Sequence, residues 1–200
     1  MTIQAIIFDI GGVLSEYHDF RAYFKWEKQL GLEKGGLFKM LYENPVAQQA
    51  TRGKATVAEV WEEVGRQVKL PPDELQKMQD EIWAGYRWNT EFLDFVRSLK
   101  ENYKTGVLSD AWSDAREGMG HIINEDLFDV IMFSAEEGIQ KPDPEIYRRA
   151  LQRLDIKPEE TIFVDDREKN VEGARQIGMH AVLFTETSKA IEDIKALLQS

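Results

Sequence analysis

One strand-forming run opens this chain, and every other clear strand lies beyond residue 100, with only helical pattern between. The first run is Ile6-Ile7-Phe8-Asp9-Ile10-Gly11-Gly12-Val13-Leu14; the later β-rich runs are Thr105–Ser109, Asp129–Ser134, Thr161–Asp165 and His180–Phe184. Strands that alternate with helices build a parallel sheet with right-handed crossovers. The lone N-terminal strand must then join that sheet across the intervening helices. The spacing predicts an α/β core from residues 1–14 and 89–200, with residues 15–88 inserted as an α-helical cap over the carboxyl edge of the sheet. Within the insert, helical periodicity runs near Phe20–Leu30, Leu37–Ala50, Val57–Val68 and Pro72–Tyr86, punctuated by Gly35-Gly36 and Pro71-Pro72, with no convincing strand.

Composition narrows the function classes. Two hundred residues with 42% hydrophobic content can bury a sizeable core. A net charge of -11 argues against a nucleic-acid partner. No apolar run is long enough to span a bilayer, and the N-terminus runs into a strand without a charged leader and signal core, so a cytoplasmic protein without membrane attachment is expected. The absence of cysteine excludes disulfides, thiolate metal sites and a cysteine nucleophile.

Four segments place chemistry at strand ends. Asp9 closes the first strand, where open α/β sheets hold their ligands, and Gly11 and Gly12 let the backbone turn and approach one closely. A carboxylate so placed can serve as a nucleophile or a metal ligand. Ser109 closes the second strand, and its hydroxyl can hold an anion; a serine there can equally cap the next helix. In Gln140-Lys141-Pro142-Asp143-Pro144, Asp143 suits an N-cap and Pro144 the first helical position, which leaves Lys141 in the loop just before a helix. There its ammonium can neutralise a phosphate, or it can be an ordinary solvated loop lysine. Asp165-Asp166 ends a fourth strand, with Asn170 following on a helix. Adjacent carboxylates repel unless a cation compensates, and hard oxygen ligands suit Mg²⁺; a helix cap is the simpler alternative.

Taken together and in this order, the four segments resemble the haloacid dehalogenase-like hydrolase superfamily, and the resemblance covers nearly the whole chain. It implies a Rossmannoid three-layer sandwich with sheet order 3-2-1-4-5 and an α-helical cap. It further implies an Mg²⁺-dependent phosphatase acting on a small phosphorylated metabolite, as a monomer or weak homodimer. Position by position, Asp9 resembles the nucleophile that forms an aspartyl-phosphate. Ser109, with Asp110 beside it, resembles the phosphoryl-binding segment, and Lys141 the cation bridging that group and Asp9. Asp165 and Asp166 resemble the metal ligands, joined by Asp9 and the main-chain carbonyl of Gly11.

Gly11 is the main departure from the family pattern. Phosphatases of this family usually carry a second aspartate there as general acid and base, and glycine can be neither. Three readings follow: a substrate with a good leaving group, such as a sugar 1-phosphate, an acyl phosphate or an aryl phosphate; replacement by Glu16 or Asp19; or a weak or inactive member that binds a ligand or partner. Some sugar 1-phosphate phosphatases of the family likewise lack that aspartate. Haloacid dehalogenases lack it too, but they need no metal, which leaves Asp165-Asp166 without purpose. Asp110 is a smaller departure, asparagine being frequent there; with its side chain turned away from a bound phosphate, its backbone N–H is the group expected to matter. Thr51-Arg52-Gly53 resembles the family's cap specificity loop, where Arg52 can reach a substrate hydroxyl or second anion, or can be a plain surface arginine. Tyr17, His18, Phe20, Tyr23, Phe24 and Trp26 cluster just beyond the first loop; Phe20, Tyr23, Phe24 and Leu30 share helical spacing and are expected mainly in the cap core. Trp112 can edge the pocket or pack.

Overall fold

The computed structural model describes residues 2–199. The elements run β1 (Ala5–Phe8), β2 (Ser15–Tyr17), α1 (Arg21–Leu30), α2 (Gly36–Tyr42), α3 (Pro45–Ala50), α4 (Val57–Val68), α5 (Pro72–Trp83), β3 (Tyr86–Trp88) and α6 (Thr90–Lys100). They continue with β4 (Lys104–Ser109), α7 (Ala115–Met119), β5 (Val130–Phe133), α8 (Ser134–Glu137), α9 (Pro144–Leu154), β6 (Thr161–Asp165), α10 (Glu168–Gln176), β7 (His180–Leu183) and α11 (Thr187–Leu198).

The central sheet has the strand order β5-β4-β1-β6-β7, and each neighbouring pair is parallel. In chain order its strands stand 3-2-1-4-5, as expected of the Rossmannoid sandwich. β1 is buried on both faces, which explains its unbroken apolar reading. Ile6 and Phe8 join one core with Phe92, Val96, Val164 and Ile194, under α6 and α11. Ala5 and Ile7 join the other with Leu108, Tyr147, Phe163 and Ala174, under α9 and α10. This two-sided burial fixes the register of β1 between β4 and β6, so the ends of all three strands come out along one edge.

Helices α1, α2, α4 and α5 enclose a core of their own, built on Tyr23, Trp26, Leu41, Trp61, Val64 and Ile82. Thr56 and Glu59 form a reciprocal capping box at the start of α4. The structure corrects the sequence reading at four places. The pattern over Leu37–Ala50 is two helices, because Asn44 caps a new one through Ala47 N–H and Pro45 occupies its first position. The pattern over Pro72–Tyr86 stops at Trp83, and the chain turns at Gly85, where a Cβ would lie 2.6 Å from the Tyr17 ring. The stretch 15–88 does contain strands: β2 and β3 pair antiparallel, Ser15 opposite Trp88 and Tyr17 opposite Tyr86. Tyr23 and Trp26 are buried as expected, but Phe20 and Phe24 are each 48% exposed.

Candidate active site

Three strand ends and one loop build the site. Asp9 follows β1 directly, and its N–H donates to Val164 O on β6 at 2.9 Å. Ser109 is the last residue of β4, on one side of β1, and Asp165 the last of β6, on the other. Lys141 comes from the loop ahead of α9, which starts as its residues dictate: Asp143 accepts from Glu145 N–H and Pro144 sits in the first turn. The loop is held by Asp110, whose Oδ1 accepts from the Lys141 N–H at 2.9 Å. The Asp110 carboxylate is thus engaged by the lysine loop, a contact the sequence reading did not foresee.

Lys141 is fully buried. Its Nζ donates to Asp165 Oδ2 at 2.6 Å and to Leu108 O at 2.9 Å. It also lies 3.0 Å from Asp9 Oδ1. That contact is an ion pair and not a hydrogen bond, and Asp9 Oδ1 stays buried without one. Asn170, one turn into α10, donates to both oxygens of Asp165 at 2.9 and 3.1 Å, and Arg167 N–H donates to Oδ1 at 2.9 Å. Tyr147 OH in turn donates to Asn170 O. Asp165 is thus oriented from three directions, whereas Asp9 is left with a lone pair unspent.

The electrostatics are those of a site short of positive charge. Burial pushes the Asp9 carboxyl up to about 6; Lys141 opposes the rise, and Asp165 and Asp110 add to it. Burial also raises Asp110, against the pull of Lys141, and raises Asp166, with Asp165 adding to the shift. At Lys141 burial favours the neutral amine, but the charges of Asp9, Asp165 and Asp110 outweigh it and the pKa is raised. One buried ammonium cannot neutralise this set, and the arrangement fits a divalent cation. Oxygens of Asp9, Asp165 and Asp166 lie within 4.8 Å of one another, as hard-ion coordination requires. Room for Asp166 depends on Gly12, which holds φ +78; a Cβ there would lie 2.5 Å from Asp166 Oδ2.

The remaining sequence candidates are placed as follows. Ser109 is nearly buried, and its hydroxyl bonds to none of the described residues, so it caps no helix and stays free for an anion. Gly11 is exposed, and a Cβ on it would meet nothing within 4 Å. Arg52 lines a cavity of about 230 Å³ with Gly138–Asp143, the loop that carries Lys141. Asp19 is paired with Arg21. Hydrogen bonds from the Arg21 side chain and backbone hold its carboxyl down at about 2, so it carries no proton to give. Glu16 and His18 face each other at 3.6 Å on the exposed side of β2. The sequence reading noted Asn170 without assigning it a task; its spacing of five from Asp165 onto the next helix was the available signal.

A fold and site of this kind define a class, and sequence comparison agrees. The chain matches the family model for haloacid dehalogenase-like hydrolases over residues 3–178, and it belongs to that family. It is 30% identical to a sesquiterpene phosphatase of Aspergillus oryzae, over 98% of this chain and 97% of that protein. It is 28% identical to a phosphorylated carbohydrates phosphatase of Thermotoga maritima, over 99% of this chain and 91% of that protein. Some other curated relatives are much longer, and the chain spans as little as 19% of their length. In structure it is similar to a family enzyme of Bacteroides thetaiotaomicron crystallised with magnesium and inorganic phosphate. The identity there is 25%, the TM-score 0.74, and the match covers 92% of this chain and 94% of that one. Among the described residues, no helix is long and apolar enough to cross a membrane.

Proposed function

We propose that this chain is a magnesium-dependent phosphomonoesterase that transfers the phosphoryl group of a small organic phosphate to Asp9 and then to water. The observation that carries this reading is the buried Lys141–Asp9 pair at 3.0 Å beside the three-carboxylate cluster. A nucleophile and the cations its substrate needs are brought to one point. The phosphatase relatives and the magnesium- and phosphate-bound neighbour support it. In this reading residues 15–88 form the cap that selects the substrate, with Arg52 facing it from the cap loop.

The Asp9 oxygen attacks phosphorus, and the bond from phosphorus to the ester oxygen breaks. The departing oxygen leaves as an anion or takes a proton from solvent, because position 11 offers none. Water then attacks phosphorus, the bond from phosphorus to the Asp9 oxygen breaks, the water's proton passes to the departing phosphate or to solvent, and Asp9 is regenerated with release of inorganic phosphate. Ser109 and Lys141 hold the phosphoryl oxygens, and Lys141 also cancels the charge that would otherwise repel phosphate from Asp9. Asp9, Asp165, Asp166 and the Gly11 carbonyl would hold the magnesium, which when bound supplies positive charge at the phosphoryl group. Asp110, Asn170 and Tyr147 act at one remove, by fixing Lys141 and Asp165. The two full-length relatives differ in substrate, so the leaving group has to be read from this chain's own residues.

Hydrolysis of p-nitrophenyl phosphate tests the reading, since its leaving group needs little protonation. Turnover is expected with Mg²⁺, lost on chelation, and absent from Asp9→Asn. Turnover by Asp9→Asn equal to that of the parent sinks the proposal, and so does metal-independent halide release from a 2-haloacid without phosphatase activity. A second expectation concerns Gly12→Ala. Its Cβ would displace Asp166 and its positive φ would strain by about 1–2 kcal/mol. Mg²⁺ affinity, measured by titration calorimetry, is expected to fall roughly 10-fold or more, as when a ligand is misoriented. Unchanged affinity removes Asp166 from the ligand set.

A further inference from the structure

Among the described residues, the large apolar side chains that stay exposed are Phe20 (48%), Phe24 (48%), Phe38 (42%) and Trp83 (36%). All four lie between residues 20 and 83, and the sheet domain contributes none. Three of them, Phe20, Phe24 and Trp83, are joined. A chain of ring contacts runs Trp112–Trp83 (6.5 Å), Trp83–Tyr86 (5.4 Å), Tyr86–Tyr17 (4.8 Å), Tyr17–Phe20 (4.7 Å) and Phe20–Phe24 (6.3 Å). An apolar track of this kind on an acidic chain is the mark of a binding surface.

One end of the track, Trp112, comes down beside the catalytic strand ends and is itself packed, buried with Ala47, Ala50 and Val60. Trp112 stands three residues beyond Ser109, in the segment anchored where Ala111 N–H donates to Ser134 Oγ. The other end, at Phe20 and Phe24, opens to solvent. The polar tips near the middle of the track are spent: Tyr86 OH pairs with Tyr42 OH at 3.1 Å, and Tyr17 OH donates to Ile82 O at 3.0 Å. What the track offers a ligand is therefore ring surface, with little hydrogen bonding for a hydroxylated one.

We infer that the exposed rings of this track, Trp83, Phe20 and Phe24, seat the hydrocarbon part of the substrate, so that the physiological substrate is the phosphate monoester of an apolar alcohol or phenol. The inference rests on the phosphatase reading and specifies its leaving group. It argues for an apolar ester over a sugar 1-phosphate. It also accounts for three of the four exposed aromatic side chains, Phe20, Phe24 and Trp83, which a cap of purely structural role would have no reason to keep.

The test is a series of 4-n-alkylphenyl phosphates from phenyl to hexylphenyl, along which leaving-group acidity stays nearly constant while apolar length grows. In the parent protein kcat/KM is expected to rise about three- to fourfold for each methylene seated on the track, the worth of burying one CH₂. Phe24→Ser and Trp83→Ser are expected to flatten that dependence. The slope is a ratio within one preparation, so a change in folded fraction cancels. A flat series in the parent, with phenyl phosphate turned over, overturns the assignment and leaves the phosphatase reading standing. No turnover of any member removes both. A flat series together with a dimer in sedimentation that Phe24→Ser dissociates gives the track to a second copy of the chain, and overturns the assignment too.

Discussion

Replacing Lys141 by methionine is expected to cost about 3–5 kcal/mol of stability at neutral pH, and to abolish turnover of p-nitrophenyl phosphate. Methionine nearly matches the length and volume of the lysine stem, so packing against Phe163 survives and the loss is that of charge. Asp165 keeps the hydrogen bonds of Asn170 and of Arg167 N–H. Asp9 loses the one ammonium beside it, and its buried carboxyl is left without compensation. For a chain of this length the deficit corresponds to a fall in Tm of roughly 10 °C.

The pH dependence of the Lys141→Met deficit has a definite sign. Burial already lifts Asp9 to about 6 while Lys141 pulls it down, so without Lys141 it rises further. A carboxyl whose folded pKa lies above its unfolded value, about 3.9, is favoured in the fold when protonated. The penalty for the ionised form is complete above the folded pKa and fades as pH falls through it toward 4. In the parent, the raised pKa of Lys141 adds stability that is fully present below the unfolded value, so that contribution is constant across this window. The parent's own Asp9 titrates near 6, so the gap between variant and parent should narrow from pH 7 through about 6 and level off by about pH 5, where the carboxyl is protonated in both folds. Denaturant unfolding at several pH values reads it directly. A gap that holds constant over this range would show that Lys141 does not compensate Asp9.

Much of this site was legible before any coordinates, for a physical reason. Strands buried on both faces read as continuous apolar runs, and in a parallel sheet every carboxyl end opens on one edge. Asp9, Ser109 and Asp165 could therefore be brought together from three runs without knowing any contact. What escaped lay below the resolution of periodicity. β2 and β3 have three residues each, too few to show alternation, and their pairing joins segments on either side of the whole helical insert. Helical spacing placed Phe20 and Phe24 with Tyr23, but Phe20 stands at the cap position of α1, and both rings face outward while Tyr23 and Trp26 turn in. The task of Asp110 was hidden because a carboxylate next to a phosphate site reads as a liability; its real partner is a backbone N–H thirty-one residues away. The break at Asn44-Pro45 was written in the sequence as a turn signal and was outvoted by the apolar spacing around it.

Introducing the absent acid should produce the largest gain of activity available at a single position. Gly11→Asp is expected to raise kcat for alkyl phosphates by roughly 10²–10⁴-fold, the usual worth of general acid–base catalysis, and to raise it far less for p-nitrophenyl phosphate. The site can accept the change. Gly11 lies outside the positive-φ set, unlike Gly12, and a Cβ there meets nothing within 4 Å. Its main chain would keep the carbonyl assigned to the metal, and the new carboxyl would stand two residues from the nucleophile, beside the phosphoryl group. Of the neighbours, Asp19 is held ionised by Arg21, and Glu16 and His18 lie 3.6 Å apart at the surface. An alkoxide leaves poorly unless protonated, whereas nitrophenolate leaves unaided, so the ratio of the two gains isolates proton transfer from any general effect on folding or metal affinity. Equal gains on both esters would mean that glycine at position 11 limits something other than the leaving group's proton. The aromatic track would then have to be explained without the unprotonated departure it now accompanies.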